Sequence, residues 1–94
     1  LGAKFSAVSD QFKYKFRIKN GLQISQLDKN GKFAKSGLKE GFVILKINNI
    51  TIVNQEDIER AYNEALNNEA NEKVLFITGI YNNGQVAYYA VNLE

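Results

Sequence analysis

Catalysis needs a group that can move a proton or attack an electrophile, and this 94-residue chain offers few: it has no His and no Cys. Without His, the usual general base, the Ser-His-Asp arrangement and the commonest metal ligand are all missing. Without Cys there is no thiol nucleophile, thiolate metal site or disulfide. Ser6, Ser9, Ser25 and Ser36 stand with no His and no Lys-bearing motif to activate them. Asp10, Asp28, Asp57 and the glutamates form no paired acid–base site; those after Asn48 gather mostly in or beside one helical segment, as on a solvated face. The chain is therefore read as non-enzymatic, with no catalytic residue, metal or cofactor assigned. What remains is binding chemistry. Residues 1–47 carry ten Lys/Arg against three Asp/Glu, whereas residues 48–94 carry two against seven. Lys13, Lys15, Arg17 and Lys19, interleaved with Phe12, Tyr14 and Phe16, are of the type that grips nucleic acid or an anionic membrane. No nucleic-acid motif accompanies them, so a solvated basic face beside an acidic helix is the preferred reading.

The length suits one domain covering 1–94, large enough for one modest core. A hydrophobic content of 45% fits a globular domain, and no apolar run approaches the ~20 residues of a membrane span. Leu1-Gly2-Ala3 reads as the interior of a domain rather than a leader, so the chain is expected to be a piece of a larger protein. A short strand can begin at residues 1–6. Residues 10–18 are ambiguous: Ser9-Asp10 offers a helix cap and Phe12/Phe16 a helical pair, yet Phe12, Tyr14, Phe16 and Ile18 also alternate as a strand would. A half-buried strand is expected at 22–27 and one helical turn at 32–36, ended by Gly37 in a left-handed cap. Residues 42–47 show no alternation before Lys46, the mark of a central strand buried on both faces. Asn54 is expected to cap a helix over about 55–67, with Glu56 and Asp57 at its positive end. Strands over 73–80 and 85–93 are joined by Asn82-Asn83-Gly84, whose Asn-Gly pair signals a type I′ hairpin.

Residues 31–49, reading GKFAKSGLKEGFVILKINN, resemble the signature segment of PDZ domains, particularly those of bacterial HtrA/Deg-type serine proteases. The element order agrees with that resemblance over essentially the whole chain. The implied fold is mainly β with helices (α+β): a partly open barrel of five to six strands, one long helix and one or two short helical turns, in the circularly permuted bacterial order. For residues 10–18 the resemblance implies a short helix. Three positions depart from the pattern: Phe42 stands where Asp is usual, Lys32 where Pro is frequent, and Asn49 in place of the Gly of the usual Asn-Gly turn, where Asn can also adopt the positive φ expected. Phe42 implies a repacked corner or an exposed aromatic.

The resemblance also implies a site. Leu1-Gly2-Ala3 takes the place of the carboxylate-binding loop, where a Cβ on the Gly would obstruct a peptide carboxylate approaching backbone N–H groups. The strand through Lys4 and Phe5 would pair with the incoming peptide. The long helix would form the opposite wall, with Ile58, Tyr62 and Ala65 lining the pocket. Either Tyr62 faces the groove while Ile58, Ala65 and Leu66 fill the core, or the reverse. A groove-facing His at the helix start, frequent in eukaryotic members, is absent, which implies an apolar preference. The start of the chain resembles the second PDZ domain of such proteases. The implied parent is a periplasmic or cell-envelope serine endopeptidase of protein quality control, its catalytic domain N-terminal to this segment. Implied partners are peptide or unfolded-protein C-termini, the protease domain and neighbouring subunits, with no nucleic acid and no membrane insertion. Two functions stay open: capture of substrate C-termini, or docking that assembles and regulates the protease.

Overall fold

The computed structural model describes residues 2–68 and 73–94. In chain order the elements are β1 (Ala3–Ala7), α1 (Asp10–Phe16), β2 (Leu22–Leu27), α2 (Lys32–Lys35), β3 (Val43–Ile47), β4 (Ile50–Thr51), α3 (Gln55–Leu66), β5 (Val74–Ile80) and β6 (Val86–Asn92). The strands form one antiparallel sheet in the order β1-β2-β3-β5-β6, with β4 paired to β3. The fold class is α+β, as the sequence implied.

β3 sits at the centre because both its faces are apolar. Ile44 and Ile47 join Ile24, Leu75, Ile77 and Val91 on the inner face, over which Ile58, Ala61 and Ala65 of α3 and Phe33 of α2 close the main core. Val43 points the other way, with Ile80 and Val8, and α1 covers that outer face with Phe12 and Phe16.

The 10–18 segment is a helix because its ends are satisfied and its aromatics have a surface to cover. The Ser9 hydroxyl accepts the Phe12 N–H at 3.1 Å. At the other end Arg17 adopts φ 56°, and the Arg17 and Ile18 N–H groups donate back to Tyr14 and Lys13 carbonyls, a Schellman closure. The Phe12 and Phe16 rings meet at 4.8 Å between centroids and pack onto the sheet. Of the three aromatics only Tyr14 is largely exposed, whereas Phe12 and Phe16 turn to the sheet.

The Phe42 corner is repacked, and Phe42 is fully buried. Its ring lies 4.7 Å from the Tyr81 ring and 5.3 Å from the Tyr89 ring, centroid to centroid, and the two phenols are hydrogen-bonded at 2.6 Å. Burial, and then the bond to Tyr89, push the Tyr81 phenol up to about 12, so Tyr81 stays neutral at ordinary pH.

Two turns differ from the expected geometry. In the β5–β6 hairpin Tyr81 and Gln85 are bonded across a three-residue loop, and the one positive φ in that loop is at Gly84 (86°). A type I′ turn needs positive φ at both central residues, so this is instead the type I turn with a glycine bulge. The Asn83 side chain accepts the Gln85 N–H, fixing the bulge. Between β3 and β4 the left-handed residue is Asn48 (φ 54°), not Asn49. The Asn48 side chain accepts the Phe76 N–H at 2.9 Å, which ties this turn to β5.

Candidate peptide groove

β1 is an edge strand, paired with β2 along one side only. An edge presents unpaired N–H and C=O groups that a further strand can take up. The Gly2 carbonyl accepts the Asp28 N–H at 2.8 Å, so Gly2 and Asp28 face each other across the ladder. The next pair, Ala3 and Leu27, is then the non-bonded type, whose N–H and C=O groups point outward from both strands. Accordingly the Leu27 N–H turns away from β1 and donates to the Glu40 carboxylate at 3.1 Å. The Ala3 backbone is thereby aimed at the open edge.

Gly2 is required here for a reason closer to home than a ligand. It has φ +79°, and a Cβ would fall 2.7 Å from the Gly31 Cα. The 28–31 turn thus packs directly against Gly2 and fixes where β1 begins.

Side chains of β1 alternate. Ala3 and Phe5 turn towards α3, and the Phe5 ring meets that of Phe33 edge-on at 6.2 Å, which steadies it. Lys4 turns the other way, into a polar hollow with Gln26, Asp28 and Glu40, and its backbone faces Gln26 on β2, so neither its side chain nor its backbone is presented to the groove.

The opposite wall is α3. Asn54 and Asp57 form a reciprocal capping box: the Asn54 side chain accepts the Asp57 N–H at 3.1 Å, and the Asp57 carboxylate accepts the Asn54 N–H at 3.2 Å. It also accepts the Val53 N–H at 2.9 Å. These backbone bonds, chiefly those from Val53 and Asn54, hold the Asp57 carboxyl below its ordinary value. The helix start is therefore firmly placed relative to the sheet.

Between β1 and α3 lies a groove of about 350 Å³, lined by Ala3 and Phe5 on one side and by Gln55, Ile58, Glu59, Tyr62 and Asn63 on the other. Ile58 and Tyr62 both reach it, Ile58 while also serving the core. Ala65 does not line it: it lies in the core beside Ala61, on the sheet-facing side of the helix. Leu1 lies outside the described residues. Gln55, Glu59 and Asn63 were not anticipated. Their spacing of four residues, flanking Ile58 and Tyr62, was the available signal, since residues i, i+3, i+4, i+7 and i+8 share one helical face.

The arrangement can hold an extended chain: an edge for its backbone, an apolar floor of Phe5, Ile58 and Tyr62, and a polar rim. No protein-family model and no curated protein matches the sequence. Among solved structures, the HtrA3 PDZ domain bound to a phage-derived ligand (FGRWV) superposes with a TM-score of 0.71, at 15% identity, over 98% of this chain and 81% of that one. The fold of this chain is that of a PDZ domain.

Proposed function

We propose that this domain captures an extended peptide as an additional strand on β1, with its free C-terminal carboxylate at the Gly2–Ala3 end and an apolar terminal side chain in the groove. The observation that carries this reading is the unpaired β1 edge facing α3 across an apolar-floored groove. It also agrees with the peptide held by the HtrA3 domain of the same fold. The larger context follows the sequence resemblance and the identity of that neighbour: a PDZ module, 1–94, of an HtrA/Deg-type serine protease of the cell envelope, itself without catalytic residues.

The test is a titration of labelled FGRWV, with a free or an amidated C-terminus, followed by fluorescence anisotropy. Saturable binding of the free acid that amidation abolishes is expected. Equal affinity of both forms would sink the carboxylate reading.

A second reading, docking within an assembled protease, is favoured by one observation. Val86, Tyr88 and Phe76 are exposed on the β5–β6 hairpin, away from the groove. In that case FGRWV does not bind, and deleting the domain from the parent protein changes its assembly state.

A further inference from the structure

Among the described residues Glu59 is the only charged side chain lining the groove. Its helical neighbours on that face are uncharged: Gln55 one turn before and Asn63 one turn after. Among the described residues the one ion pair is Arg60–Asp57 at 3.5 Å, so the nearest cation on α3 is engaged elsewhere. The rest of the helix deepens the negative field through Glu56 and Glu64. An acidic group without a cation, on the wall of a groove that takes a peptide, is a selector of peptide charge.

The position it reads follows from strand geometry. In an added strand the terminal and third-from-last side chains point to the same side, towards α3, and the second-from-last points away. The terminal side chain needs the apolar floor of Phe5, Ile58 and Tyr62. The terminal carboxylate is itself negative and is repelled by Glu59. The third-from-last side chain is the one left to meet the carboxylate. Resting on the peptide-capture reading, we propose that Glu59 selects Lys or Arg at the third-from-last residue of the bound C-terminus.

Glu59 is exposed, so the pair is a modest, salt-sensitive one. The test uses FGRWV and two variants in which its Arg is replaced by Ala or Glu, against the unaltered domain, E59Q and E59K. For the unaltered domain the Arg peptide binds about threefold tighter than the Ala peptide and about tenfold tighter than the Glu peptide at low salt. High salt narrows the gap. E59Q flattens the series and E59K reverses it. Equal affinity for all three peptides, with amidation still abolishing binding, overturns the selection by Glu59 and leaves peptide capture standing. Failure of every free-acid peptide to bind overturns both.

Discussion

Gly79 shows how a single missing side chain organises a corner. A Cβ there would lie 2.3 Å from both the Phe42 ring and the Val43 carbonyl oxygen, and the second of these is backbone that cannot swing aside. Gly79→Ala is therefore expected to cost about 3 kcal/mol, the upper range for overpacking, and to lower the urea midpoint accordingly. An unchanged midpoint would show that β3 and β5 can separate to admit a methyl. Little of this was legible in the sequence. Phe42 stood out as a departure from the family pattern, but its three partners, Gly79, Tyr81 and Tyr89, lie 37 to 47 positions away. Gly2 was legible as a required glycine, although the group that demands the space is Gly31. The site residues Glu59 and Asn63 were passed over because polar positions on a helix read as solvated face until the facing element is known.

At the scale of elements, the two principal helices owe their limits to caps that the sequence displayed. Ser9 and Asn54 were readable as N-caps, and both bond as expected. Asp57→Asn should weaken the α3 cap near neutral pH. The sign follows from its lowered carboxyl: the ionised form is favoured in the folded state, so its stabilisation is complete above its ordinary value of 3.8 and is withdrawn as pH falls through the lower folded value. Thermal melts should separate the two proteins at about pH 7 and converge at about pH 2; a constant gap would contradict the capping role. The C-terminal end of α1 offers a gain instead. Arg17 holds a left-handed conformation that costs an L-residue about 1 kcal/mol. Arg17→Gly should raise stability by about that amount in urea unfolding, offset only by glycine's looser unfolded chain. The hairpin was placed correctly but given the wrong turn, because Asn-Gly serves a two-residue loop and a three-residue glycine bulge alike; the bonded Tyr81–Gln85 pair settled the loop length.

For the whole molecule, the order of elements matters more than any single motif. With β1 at the sheet edge one side of it is open, while α3 closes over the core and stops short of covering that edge. Element order and the central position of β3 were legible from apolar periodicity and glycine spacing. The ambiguity of residues 10–18 was not resolvable locally, since the outer face that Phe12 and Phe16 cover is built from Val43 of β3, Ile80 of β5 and Val8 just beyond β1, which are far apart in sequence. A captured peptide extends the sheet at β1 in the proposed mode of binding. This extension is tested most directly by amide hydrogen exchange, read residue by residue by NMR, with and without saturating FGRWV. New protection is expected at Ala3 and Phe5, whose backbone groups gain a partner strand, with little change on β6. Protection confined to the β5–β6 hairpin around Phe76 and Tyr88, with Ala3 and Phe5 exchanging as before, would contradict it.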